Sequence, residues 1–251
     1  MASPFSAQSA DLPGGRLYPK NIRESEAFRQ AKPEEKHEKI PLIVLLREHP
    51  KALMQAIALR LPENGASYIF FTFSVVYAKH IGISTDIIIS AVTLAMVVEF
   101  FSILFWGALS DRIGLKRVYY IGVIGLLVMA FPFFWLLSSG EFSGIMVAMF
   151  LGLPVCHGAM TGTQPCIMSD LFPVRVRYSG LALGHEVGSI FSGGLGPMLA
   201  VALLIEFDAA WPVSLLLIVY ALLAWIALWS LPSQETPVLS QPTKTLPYNE
   251  V

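Results

Sequence analysis

The sequence predicts an all-α integral membrane protein with six transmembrane helices, and three observations carry that prediction. Of the 251 residues, 55% are hydrophobic and only 14% charged, whereas a soluble domain carries about 25% charged residues. The missing charge is missing from long blocks, six of which approach the roughly 20 residues that a helix needs to cross about 30 Å of hydrocarbon. Lysine and arginine crowd into alternate loops between those blocks, as the positive-inside rule requires of a multi-pass protein.

In chain order, residues 1–22 are rich in Ser, Pro and Gly, lack the apolar run of a secretory signal, and are expected to form a disordered leader unrelated to the rest of the chain. Residues 23–51 are charged and amphipathic, and the stretch 40–50 (IPLIVLLREHP) suits a helix lying along the membrane surface. The six spans fall at 52–78, 87–109, 118–138, 143–166, 180–204 and 211–231, followed by a tail at 232–251. The third and sixth contain no charge, while the first is interrupted by Arg60, Pro62, Glu63 and Asn64. Helices are expected because a backbone in lipid must satisfy its own hydrogen bonds, and the runs are too long for barrel strands.

Loop charge sets the orientation. Residues 23–51 hold seven Lys or Arg, and Arg112, Lys116, Arg117, Arg175, Arg177 and Lys244 follow in the second and fourth loops and the tail. The three intervening loops hold only Lys79, so both termini are expected on the cytoplasmic side, in a plasma or inner membrane. A net charge of -1 points to no nucleic-acid partner. Cys156 and Cys166 match no metal spacing. On one helix they lie about 15 Å apart, too far for a disulfide, and both are expected to be small buried hydrophobes.

Two cytoplasmic loops carry motifs. The loop after the second span reads Gly107-Ala-Leu-Ser-Asp111-Arg112-Ile-Gly114-Leu-Lys116-Arg117. It resembles the G-x-L-x-D-R-x-G-R-K/R signature of the major facilitator superfamily, with Leu115 where a basic residue is usual. Physically it suits a gate: Gly107 permits close helix approach, Asp111 can face a positive helix N-terminus, and Gly114 makes a tight turn. The loop after the fourth span contains Asp170, Phe172, Pro173, Arg175, Arg177 and Gly180. It is similar to the E-L-F-P-x-x-x-R-x-x-G stretch of that superfamily's metabolite–proton symporter branch, and residues 24–28 (ESEAF) resemble its E-S-P-x-F. The resemblance covers about 23–232 and implies the C-terminal six-helix half of a twelve-helix transporter, with 23–51 equivalent to the central loop.

A complete transporter of this kind binds substrate between two six-helix halves. The resemblance therefore implies pairing with a separate N-terminal half or a second copy; a truncated, non-transporting remnant is the alternative, which the unrelated leader favours. Within the fifth span Gly180, Gly184, Gly188, Ser192 and Gly196 recur every four residues, a ridge for close helix packing whose partner stays open.

Ionisable residues inside the spans are the candidate site, because each costs about 2.5–3.5 kcal/mol at the bilayer centre and must face a cavity or a partner. Arg60 is the expected carboxylate-binding cation, Glu63 or Glu99 the expected proton carrier, and Pro62 a point of discontinuity beside Asn64. The competing possibility is a structural Arg60–Glu63 pair on one helix face. His157 and Gln164 are either pore-facing or interhelical contacts, and His185 and Glu186 either bind or gate. Gln164-Pro165 marks a kink. The expected function is thus secondary transport of a small organic acid or zwitterion, with a proton as coupling ion and no cofactor. An intramembrane enzyme is the remote alternative: Gly65-Ala66-Ser67-Tyr68 lacks the last glycine of a G-x-S-G nucleophile.

Overall fold

The computed structural model describes residues 41–231; the expected leader, most of the 23–51 segment and the tail lie outside them. The described residues fold into helices joined by short turns. α1 is Pro41–Glu48, with Val44 and Leu45 buried. α2 runs over 50–80, beginning as Pro50–Tyr68, widening into a π-helical turn at Ile69–Phe73 and ending as Ser74–His80. α3 is Thr85–Ile113, α4 Leu115–Met129 and α5 Pro132–Leu137. α6 is Phe142–Asp170, α7 Arg177–Phe207 and α8 Trp211–Trp229.

Four of these, α3, α6, α7 and α8, are long and apolar enough to cross a membrane. Two of the six expected spans do not qualify, each for a local reason. α2 carries the polar run Arg60 to Ser67 through its middle. The third span is divided after Met129, where Pro132 opens a separate helix; proline supplies no N–H to continue the helical ladder. The helices also overrun most of the apolar blocks by two to four residues, because helical hydrogen bonding continues into the polar ends.

α2 packs against both α8 and α7, which also touch each other, while α6 packs on α3 and α4. The small-residue ridge of α7 finds its partner within the chain. A Cβ on Gly184 would stand 2.7 Å from that of Ala56, and one on Gly188 2.6 Å from that of Arg60, so only glycine lets α7 approach α2 this closely. The second half of α2 is fixed against α5 and its C-terminal cap: Phe70 and Phe133 have ring centroids 4.5 Å apart, and the Tyr77 and Ser138 hydroxyls are 2.9 Å apart.

The two ends of the bundle are tied differently. At one end Gln55 Nε2 donates to Ser230 Oγ at 2.7 Å, and Lys116 Nζ donates to the Leu231 carbonyl at 2.8 Å. At the other, His80 Nε2 lies 2.8 Å from Asp208 Oδ1, where Asp208 closes α7 in the left-handed conformation.

Two further expectations change. The helix is not discontinuous at Pro62; it runs through to Tyr68, and the departure from α geometry comes later, at Ile69–Phe73. The Leu59 carbonyl, three residues before Pro62, accepts from Gln164 Nε2 at 3.0 Å and from the Tyr119 hydroxyl, which ties this part of α2 to α6 and α4. Cys156 is buried, but Cys166 is exposed, because the chain turns at Gly162–Thr163 and restarts as Gln164–Asp170.

Candidate functional site

The polar residues of the first, second and fourth predicted spans meet in one buried cluster. Arg60, on α2, reaches four acceptors: the Glu63 carboxylate, Ser189 Oγ at 3.1 Å, Gln164 Oε1 at 3.3 Å and Asn64 Oδ1 at 3.1 Å. Arg60, Glu63 and Asn64 share a face because they are three and four residues apart on one helix. Asn64 Nδ2 continues to Ser192 Oγ at 3.0 Å, so two ridge-side serines of α7 hold the α2 polar run. Gly188 sets that distance by admitting the Arg60 stem against its bare backbone.

On the other side of Glu63 stands His157, which lies in the π-helical turn Leu151–His157 of α6. Its Nε2 is 3.5 Å from Glu63 Oε1, and its Nδ1 contacts the Glu99 carboxylate of α3. Thr161 bridges the gap, its hydroxyl 3.1 Å from His157 Nε2 and donating to Glu63 Oε1 at 3.4 Å. Two carboxylates, one guanidinium and one imidazole thus form an unbroken chain, Glu99–His157–Glu63–Arg60, spread over three helices. Glu63, Glu99 and His157 are each 7% exposed or less. Buried charges persist only when paired and hydrogen-bonded, and here Glu63 stands against the Arg60 guanidinium and Glu99 against the His157 imidazole.

The three helices that contribute most to this neighbourhood, α2, α6 and α7, each contain a π-helical turn: Ile69–Phe73, Leu151–His157 and Ile190–Leu195. Such turns are rare and cluster at functional sites.

The cluster opens onto a cleft of about 430 Å³ between α6 and α7, whose wall includes Arg60, Glu63, Gln164, Tyr178, His185 and Glu186. A second opening of about 410 Å³ reaches Arg60 and Asn64 from the Tyr68 and Gly193 side. His185 and Glu186 therefore stand on the rim and not in the buried chain; they contact each other at 3.1 Å, with the Glu186 side chain 74% exposed. Thr161, Ser189, Ser192 and Tyr119 join the cluster without a sequence signal of their own, apart from the ridge spacing that includes Ser192.

The loop motifs lie elsewhere. Gly107 faces Gly162, where a Cβ on Gly162 would come within 2.9 Å of the Ile103 carbonyl. Gly114 turns the chain with φ +99°, a conformation that side chains other than glycine's resist. Asp111, Arg112 and Arg117 are exposed, while Lys116 is engaged with Leu231. In the second motif Phe172 is buried under Gly180, and Arg177 Nε donates to the Phe172 carbonyl at 3.2 Å; Asp170, Pro173 and Arg175 are exposed.

The sequence profile of the Major Facilitator Superfamily matches residues 63–248. The chain belongs to that superfamily. It is 30% identical to the shikimate transporter of Escherichia coli over 78% of this chain and 46% of the relative. It is 24% identical to the ectoine/proline transporter of Corynebacterium glutamicum over 91% of this chain and 45% of the relative, and 29% identical to the proline/betaine transporter of Salmonella typhimurium over 64% and 32%. By name these relatives are transporters of small metabolites. The chain spans less than half the length of each of them. No solved structure matches it significantly. Family membership and apolar helices together make this a multi-pass membrane protein.

Proposed function

We propose that this chain is a six-helix unit equivalent to the C-terminal half of a metabolite–proton symporter, acting on a small organic acid or zwitterion. The observation that carries the reading is the buried Glu99–His157–Glu63–Arg60 chain opening onto a cleft. Ionisable groups so placed in a membrane protein serve substrate or proton movement more often than stability, since their burial is costly. Arg60 is the carboxylate-binding cation: its planar fork matches a carboxylate bidentately. Glu63 or Glu99 carries the coupling proton. The names of the relatives, shikimate and proline/betaine transporters, agree with a carboxylate-bearing cargo.

In this reading all six helical rods cross an inner membrane, α2 and the α4–α5 pair included, because their polar or broken stretches face protein and not lipid. Both ends are cytoplasmic, and α1 lies at the membrane surface. A second six-helix unit, either a separate N-terminal half or another copy, covers the cleft. The exposed polar rim at Tyr178, His185 and Glu186 is suited to such a partner or to water, and unsuited to lipid.

Proteoliposomes containing the full chain, with and without its co-purifying six-helix partner, test this. Shikimate or proline uptake should follow an imposed inward proton gradient and collapse with a protonophore. Absence of uptake in both preparations, or uptake indifferent to the gradient, would overturn the proposal.

A further inference from the structure

We infer that Glu63 is a counter-ion shared between Arg60 and His157, and that a substrate carboxylate entering at Arg60 releases it, so that one proton is taken up for each carboxylate bound. The inference rests on the reading of Arg60 as the substrate cation and adds the residue and the stoichiometry.

Buried charge has to balance. The cluster contains two pairs in close contact, Arg60 with Glu63 and His157 with Glu99. Glu63 also lies 3.5 Å from His157 Nε2. Both imidazole nitrogens thus face acceptors, Nδ1 toward Glu99 and Nε2 toward Thr161 and Glu63, the arrangement that suits a doubly protonated ring. With the ring charged the four groups sum to zero.

The remaining neighbours do not alter that sum. Asn64 on α2, Tyr119 on α4, Thr161 and Gln164 on α6, and Ser189 and Ser192 on α7 are hydrogen-bonding groups. From the cleft rim Tyr178, His185 and Glu186 of α7 face the site, the last two paired with each other, and Tyr68 of α2 faces it from the second opening.

A carboxylate that takes the Arg60 fork brings one more negative charge into this space. Glu63 then loses its guanidinium, and His157, the other cation within reach among the described residues, already neutralises Glu99. A lone buried carboxylate is far more costly than its neutral acid. A proton from water in the cleft adds to a Glu63 carboxylate oxygen, forming one O–H bond, and the cluster returns to neutrality. That proton donates to Thr161 or to the substrate.

The test uses the full chain purified in detergent, with its six-helix partner where one co-purifies, and shikimate as probe. Proton uptake on ligand addition is followed with a pH-indicating dye in weak buffer, and binding with radiolabelled shikimate across pH. Wild-type protein should take up about one proton per shikimate bound, and its dissociation constant should rise up to about tenfold per pH unit in the linked range. In Glu63→Gln the His157–Glu99 pair stays balanced and Arg60 is left without a counter-ion. Binding should tighten there, with no proton uptake and a flat pH profile. Glu63→Asp, which keeps the carboxylate, should retain uptake and guards against a folding defect in the amide variant.

Shikimate binding without proton uptake in the wild type, or full uptake surviving in Glu63→Gln, would overturn this inference and leave the transport reading intact. Failure of shikimate and proline alike to bind would remove both.

Discussion

Arg60 engages four acceptors with a single guanidinium, and its chemistry should be unforgiving. Arg60→Lys keeps the charge but loses the fork, so carboxylate binding should weaken by about 10- to 100-fold, the worth of one charge-assisted hydrogen bond. Equilibrium binding in detergent measures this, and equal affinity in the lysine variant would remove Arg60 from the substrate site. The double change Arg60→Gln with Glu63→Gln should fold but fail to transport; full uptake there would reduce the pair to mutual neutralisation. Arg60 and Glu63 were legible in the sequence because three residues on one helix fix their proximity. The Glu99–His157 contact was not, since 58 residues and two intervening helices separate them. Each looked like an isolated polar residue, and only the packing of α3 against α6 makes them a pair. Thr161 and Ser189 were less visible still, because hydroxyls in membrane helices commonly bond their own backbone.

Between helices, the decisive contact is α7 on α2. A methyl on Gly188 would collide with the Arg60 stem, whereas one on Gly194 would meet nothing within 4 Å. Gly188→Ala should therefore destabilise the detergent-solubilised protein by about 1–3 kcal/mol, seen as a lowered thermal midpoint, and Gly194→Ala should leave it unchanged. Equal midpoints would mean that α7 shifts without cost. The loop after α3 is a separate element with a separate test. Asp111→Asn is expected to impair uptake in an assembled transporter while leaving membrane insertion intact, and unchanged uptake at normal protein levels would make the loop a topology signal alone. The four-residue spacing made the ridge legible; its partner was not, because spacing records the shape of one surface and not its complement.

Across the described residues, every apolar block falls on helix, but only four of the helices are long and apolar enough to cross a membrane, and composition showed neither the division of the third block at Met129 nor the turn inside the fourth. Composition reports where lipid is tolerated, and backbone breaks of this kind depend on one proline or one close glycine contact. The basic loops make the orientation testable. Reporter fusions after Ser84, Glu141 and Phe207 should report the outer side, and fusions after Lys116, Arg177 and Thr243 the cytoplasm. A cytoplasmic signal at Glu141 would overturn the span assignment, because it lies in the turn joining the third and fourth rods.

The widened turn in α7 has a consequence for how its sequence is spelled. Successive residues of an α-helix advance by about 100°, so positions four apart creep by about 40° at each step. From Gly180 to Gly196 a strict α-helix would rotate the small residues by about 160°, carrying the last of them to the opposite side. They stay in contact throughout, against Phe172, Ala56, Arg60, Asn64 and Tyr220 in turn, the middle three on α2 and the last on α8, and Ile190–Leu195 winds more slowly between them. The fourfold rhythm of glycine and serine is therefore already a written instruction for the slow winding. Restoring ordinary α winding over 190–195 with all six residues kept would do more than lengthen the helix: it would turn the whole of Gly196–Phe207 relative to Arg177–Ser189 and carry Gly196 away from Tyr220.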